Sequence, residues 1–218
     1  MRLTKRTSLP AWILFGLVTA GLPVHAQDDA DEATTAPASP TLARSGADLR
    51  DLWVSHVFWV RDVVVQSLAA NEVAAAAAEN EVVANAKQIA ASIEPFYGKA
   101  ASDKLFDLLA SHYGAIKGYL EATAAGNQAE QDAAVKSLTD NAGEVAVFLS
   151  GANPNLPRDT VQGLFVAHGG HHVQQIRQLH DKHYREEART WEAMKGHMYV
   201  IADALAGALA KQFPARFS

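Results

Sequence analysis

The chain has 218 residues, a formal net charge of −5 and no cysteine. An acidic chain without clusters of Lys and Arg is poorly suited to binding nucleic acid or an anionic membrane surface. The lack of cysteine excludes disulfides, thiolate metal sites and iron–sulfur clusters. A chain of this length can bury one sizeable apolar core, so packing must hold the fold together.

The first 26 residues have the three parts of a secretory signal peptide. Arg2, Lys5 and Arg6 precede an apolar run over residues 11–22, and Val24-His25-Ala26 has the small-x-small pattern of a cleavage site. This arrangement predicts cleavage after Ala26 and a periplasmic or secreted protein. No later segment is long and apolar enough to predict a span across a bilayer.

Residues 27–45 differ in composition from the rest of the chain, because they are acidic at first and then rich in Ala, Thr, Ser and Pro. Such a segment buries too little apolar surface to offset the entropy lost on ordering, so we predict a disordered linker. From residue 46 onward, apolar residues recur three and four positions apart, as they do on one face of a helix. We therefore predict a single all-α domain, a helical bundle over residues 46–218.

A five-residue segment occurs three times in this domain. Leu52-Trp53-Val54-Ser55-His56 returns as Leu108-Leu109-Ala110-Ser111-His112 and as Leu164-Phe165-Val166-Ala167-His168, each time 56 residues later. Self-similarity at a fixed period indicates an array of equivalent supersecondary units, here six helices arranged as three αα-hairpins. The predicted repeats cover residues 46–101, 102–157 and 158–213.

The histidines that end these segments are predicted to share one layer of the bundle. In an antiparallel hairpin, residues equally far from the turn lie at the same height. With the first turn centred between residues 70 and 71, His56 lies opposite Asn85. The repeat then pairs His112 with Asn141 and His168 with His197. A buried layer that contains four imidazoles requires either a hydrogen-bond network or a metal.

A metal site is the first interpretation of this layer. His56, His112 and His168 would converge on a pseudo-threefold axis, and three imidazoles with one position open are typical of exchangeable or catalytic zinc, copper and iron sites. His172, four residues after His168, can chelate the same ion, and Glu144 is the nearest carboxylate that could join the layer or orient a ligand. The candidate ligands of a divalent transition metal (zinc, iron, copper or nickel) are His56, His112, His168, His172, His197 and Glu144.

Two other interpretations remain open at this point. A satisfied core histidine would be copied into every repeat by descent, so the layer could be a structural hydrogen-bond network in a non-enzymatic interaction or stress-protective bundle. Paired histidines between helices could also hold haem non-covalently. Enzymatic activity stays undecided, because no Ser-His-Asp spacing, paired catalytic carboxylates or nucleotide motif stands out, and no protein partner is indicated.

Two stretches resemble an uncharacterised family of bacterial helical proteins. They are the run Leu52-Trp53-x-x-His56-Val57-x-Trp59-x-Arg61 and the ending Lys211-Gln212-Phe213-Pro214. Some members carry names such as glycosyltransferase or acetylglutamate kinase. This chain has neither a Gly-rich loop that could cradle a phosphate nor alternating strands and helices, so the resemblance implies a helical fold and no established activity.

A second motif lies on the predicted fifth helix. The run His168-Gly169-Gly170-His171-His172-x-x-Gln175-Ile176 is similar to the C-terminal helix motif of DinB-like metal-binding bundles. In that family, two histidines four residues apart and one histidine from an earlier helix hold a divalent ion. The resemblance implies that His168 and His172 are ligands, with His56 or His112 as the third. The chain departs from the family at Val173-Gln174, where Arg-Gly is usual, and in having more than four helices.

Overall fold

The computed structural model describes residues 39–218, and these form α-helices joined by short turns, with no β-strand among them. The predicted all-α fold is therefore confirmed. The predicted signal peptide and residues 27–38 of the predicted linker lie outside the described residues. None of the described helices has the length and apolar character needed to cross a membrane.

Six long helices make up the bundle, as predicted. They are α1 (Pro40–Leu68), α2 (Glu72–Ser92), α4 (Lys99–Ala124), α5 (Gln128–Ala152), α6 (Arg158–His180) and α7 (Tyr184–Gln212). A single helical turn, α3 (Glu94–Tyr97), connects the first hairpin to the second, and a 3₁₀ turn (Pro214–Arg216) follows α7.

The first helix begins earlier than the sequence pattern predicted. Residues 40–45, which we assigned to a disordered linker, form the start of α1. The side-chain oxygen of Ser39 accepts a hydrogen bond from the backbone N–H of Leu42, and a proline occupies the first turn. Both features stabilise a helix N-terminus. The composition of residues 27–45 therefore did not indicate where the predicted linker ends and the helix begins.

The three hairpins turn in the same way. Ala70, Gly126 and Lys182 have positive φ values of 56°, 67° and 60°, and each is 56 residues from the next. In each turn the following residue donates its backbone N–H to a carbonyl five positions back, which is a Schellman closure. The period found in the sequence therefore recurs in the backbone geometry of the turns.

The hairpins close into a ring around a common core. Helix α1 packs against α2, α4 against α5 and α6 against α7, while α2 meets α4, α5 meets α6, and α7 returns to α1. The first helix of the third hairpin, α6, also touches α1 and α4 across the interior. The first helices of the three hairpins thus face the centre of the bundle.

A polar layer divides the apolar core into two clusters. One cluster includes Trp53 and Phe165, and the other includes Val60 and Ile176. On α1, His56 lies between Trp53 and Val60, and on α6, the histidines lie between Phe165 and Ile176. The imidazoles are therefore surrounded by hydrocarbon above and below.

Candidate metal centre

Four buried histidines come together at the centre of the bundle. His56 of α1, His112 of α4, and His168 and His172 of α6 are each no more than 3% exposed. One ring nitrogen of each lies within 4.8 Å of one ring nitrogen of every other. Side chains from all three hairpins thus meet in the buried interior, as the 56-residue repeat predicted for His56, His112 and His168.

The spacing of the rings is close to that of a metal coordination shell. The Nε2 atoms of His168 and His172 are 3.2 Å apart. Two nitrogens bound to one tetrahedral zinc at about 2.0–2.1 Å would be roughly 3.3 Å apart. The ring centroids of His168 lie 5.1 Å from His112 and 5.5 Å from His56, so small side-chain movements would complete the shell.

Most of the ring nitrogens in the group have no hydrogen-bond partner in the protein. Both nitrogens of His56, both nitrogens of His112, and the Nδ1 atoms of His168 and His172 are buried and unpaired. The single polar contact among the four rings is the one between the Nε2 atoms of His168 and His172. Leaving a buried polar group unpaired costs about 1–3 kcal/mol, so the arrangement is incomplete with protein groups alone.

Burial keeps these imidazoles neutral. Desolvation, reinforced by the neighbouring His112, lowers the pKa of His56 to about 3. Desolvation also lowers the pKa of His112 to about 4, and the pKa values of His168 and His172 fall well below the ordinary 6.5 for the same reason and because other histidines surround them. Neutral imidazole is the form that binds a metal ion.

Two asparagines on the second helices support the layer from behind. Asn85 donates its Nδ2–H to the carbonyl of Leu52, and Asn141 donates to Leu108, each at 3.0 Å. The side chain of Asn141 opposes the lowering of the His112 pKa, although its oxygen meets no partner at ordinary hydrogen-bond geometry. The buried Oδ1 atoms of Asn85 and Asn141 are unpaired, so each could accept a hydrogen bond from the second ring nitrogen of a histidine that held a metal.

His197 was predicted as a ligand in this layer, and the structure places it outside the group. Its Nε2–H donates to the carbonyl of Leu164 at 2.8 Å, the bond that Asn85 and Asn141 make in the other hairpins. Its ring is half-buried and lies 5.5 Å from that of His171. The fourth imidazole of the group is His172 instead, because α6 faces the axis and α7 lies behind it.

Glu144 was the predicted carboxylate of the site, and it also lies outside the group. It is exposed on α5 and lines a surface groove together with Lys104 and Arg158. Its neighbour Val145 takes the buried position one residue later. A three-residue step from Asn141 therefore turns the side chain outward, whereas a four-residue step points into the core.

A polar network that sequence reasoning missed adjoins the histidines. Gln175, fully buried one turn after His172, donates its Nε2–H to Glu187 at 3.0 Å. Glu187 in turn accepts two hydrogen bonds from Arg61, at 2.6 and 3.0 Å, and the Arg61 guanidinium lies over the ring of Trp191. Arg61 and Gln175 both belong to the motifs described in the sequence analysis, so their place in those motifs could have indicated a role. No sequence feature singled out Glu187.

Removing Arg61 is expected to cost more stability than removing Glu187. Arg61→Ala would leave the carboxylate of Glu187, only 4% exposed, without its cation, and breaking a buried pair in this way costs about 3–5 kcal/mol. Glu187→Ala would leave Arg61, whose side chain is 36% exposed and can turn to water. It would also leave the buried amide of Gln175 without its acceptor, which costs about 1–3 kcal/mol. Urea unfolding of both variants measures the difference.

The exposed ion pair Arg50–Asp203 is the matched control for this comparison. Both side chains are 48% exposed and the contact has the same two-pronged geometry, so Arg50→Ala should lower the free energy of unfolding much less than Arg61→Ala does. Equal losses in Arg61→Ala and Arg50→Ala would show that burial of Glu187 contributes nothing.

Comparison of the chain with protein-family models, curated proteins and solved structures finds no match. The resemblances drawn from the sequence motifs therefore stay predictions.

Proposed function

We propose that this protein is an exported helical bundle that binds one divalent transition-metal ion through His56, His112, His168 and His172. The proposal rests on four buried imidazoles from three hairpins, each with one ring nitrogen within 4.8 Å of a ring nitrogen of the others. Six of their ring nitrogens have no partner in the protein. One ion would give each ring a partner. Export rests on the predicted signal peptide, and the role is metal handling or a metal-dependent function.

The donor set favours particular ions. Imidazole nitrogen suits zinc, copper, nickel and iron, whereas magnesium, calcium and manganese prefer carboxylate and carbonyl oxygen. The group contains four imidazoles, and the nearest network carboxylate, Glu187, is already bound to Arg61. Four protein ligands would close a tetrahedral shell, as in structural zinc sites, and a five-coordinate ion would keep one position for a small ligand.

The geometry gives less support to the structural-network alternative. A network that stabilised the core would pair the ring nitrogens with one another or with the backbone, as His197 pairs with Leu164. The four central rings share one such contact. Haem is also less well supported, because the histidine rings are packed within about 6 Å of each other and a macrocycle would have to separate the helices.

Metal titration tests the proposal. Untagged protein, stripped with a chelator and titrated with zinc and copper(II), should bind one ion per chain with an affinity that His112→Ala lowers at least 100-fold. His183→Ala is the matched control, because His183 is exposed and outside the group, and it should bind like the unaltered protein. No stoichiometric uptake, or equal affinities in both variants, would contradict the proposal.

A further inference from the structure

An apolar cavity lies next to the histidine layer, on the side of α3. Its volume is about 30 Å³, and all six long helices contribute to its wall. Trp53 and Phe165, which line it, precede His56 and His168 by three residues, which is one helical turn. The cavity and the histidine group are therefore stacked along the axis of the bundle.

One layer of aromatic rings separates the cavity from the histidines. Trp53 and Phe165 meet edge to face with their centroids 5.9 Å apart. Trp53 also meets the ring of His56 edge on, at 6.3 Å. The buried indole N–H of Trp53 has no partner in the protein, although buried Trp N–H groups usually find one. The Trp53 side chain thus contacts both the cavity and the histidine group.

The polar groups at the far end of the cavity are already paired with one another. The Tyr97 hydroxyl donates to Gln212 at 2.6 Å and accepts from Asn153 at 3.0 Å. Gln212 donates to the carbonyl of Ala152, and Ser92 donates to the carbonyl of Ile89. A water molecule in the cavity would need two to four polar partners, and these groups offer few, so an apolar guest is favoured.

We propose that this cavity binds one small apolar molecule, of the size of dioxygen or xenon, one side-chain layer from the metal. Cavities lined by Leu, Ile and Phe stay dry and accept xenon or small hydrocarbons. The link to the metal rests on the proposed function, whereas binding of the guest depends only on the cavity.

Xenon is the probe for the cavity. In ¹²⁹Xe NMR, the full chain should give a saturable shift for one site, and Ala152→Val, which adds two carbons to the wall, should weaken binding at least tenfold. The matched control is Ala133→Val on the exposed face of the same helix, which should bind xenon normally. If Ala152→Val fails to fold, Leu105→Phe fills the same wall from α4.

The two proposals fail in different ways. Metal-free protein and His112→Leu, which keeps the volume of the side chain, should bind xenon with unchanged affinity. Copper(II) in the unaltered protein should broaden the signal of bound xenon where zinc does not. Saturable xenon binding without that broadening would remove the link to the metal and keep the cavity site. No saturable shift in the unaltered protein, or equal binding in Ala152→Val and Ala133→Val, would overturn the cavity site.

Discussion

Replacing His112 by leucine is expected to raise the stability of the metal-free protein and to abolish its stabilisation by metal. Leucine has a similar volume and no polar atoms, so the substitution removes two buried, unpaired nitrogens. Each unpaired group costs about 1–3 kcal/mol, and the free energy of unfolding at pH 7 should therefore rise by roughly 1–3 kcal/mol.

The same variant should respond little to metal. Zinc at about a thousand times its dissociation constant adds roughly 4 kcal/mol to the stability of a protein that binds it only when folded. His112→Leu should lose most of this gain. Urea unfolding with chelator and with zinc measures both effects, and His183→Leu, at an exposed site, should change neither.

The sign of the change in the free energy of unfolding on His112→Leu distinguishes the two interpretations of the histidine layer. If the rings formed a structural network, His112→Leu would destabilise the metal-free protein and zinc would change nothing in either form. If the rings are metal ligands held without their ion, the substitution relieves a cost that the ion otherwise removes. A destabilised metal-free variant would contradict the account.

Mild acid is expected to unfold the metal-free protein. The folded-state pKa values are about 3 for His56 and about 4 for His112, and those of His168 and His172 are lowered well below 6.5. In the unfolded chain these groups return to about 6.5. Below pH 6.5 the unfolded chain therefore binds protons that the folded chain does not. The free energy of unfolding consequently decreases as the pH is lowered.

The size of this effect is comparable to the stability of a domain. Each histidine contributes a slope of up to about 1.4 kcal/mol per pH unit, so four contribute about 5 kcal/mol per unit, against a total of about 5–15 kcal/mol. Circular dichroism should therefore show the helices unfolding between pH 6.5 and 5, which is above the range where carboxylates titrate. Zinc-loaded protein should unfold at lower pH, because the folded state then binds the ion.

His112→Leu also serves as the control for the acid experiment, since it should reduce the slope by about a quarter. Metal-free protein with a free energy of unfolding that stays constant from pH 6.5 to 5 would contradict the burial of neutral imidazoles.

The fold and part of the site could be predicted from the sequence because they depend on local periodicity. Helical spacing indicated the six long helices, and counting from the turn placed His56, His112 and His168 at one height. Height alone does not determine which way a side chain faces. His197, on the second helix of its hairpin, is at the predicted height but donates a hydrogen bond to the backbone carbonyl of Leu164. Glu144 faces solvent.

Other features depend on contacts between distant parts of the chain. Arg61 and Glu187 are 126 residues apart, and no periodicity links them. The cavity beside Trp53 arises from how six helices fit together, which is a property of packing in three dimensions. The early start of α1 depends on the N-cap at Ser39, which the composition of the segment did not indicate.

The most direct test of the central claim is the X-ray absorption spectrum of the protein loaded with one equivalent of zinc or copper. We expect a first shell of three to four nitrogens at about 2.0–2.1 Å with the outer-shell scattering of imidazole, and a loss of one imidazole or of the ion in His112→Ala. A shell dominated by oxygen, or one that His112→Ala leaves unchanged, would contradict that claim.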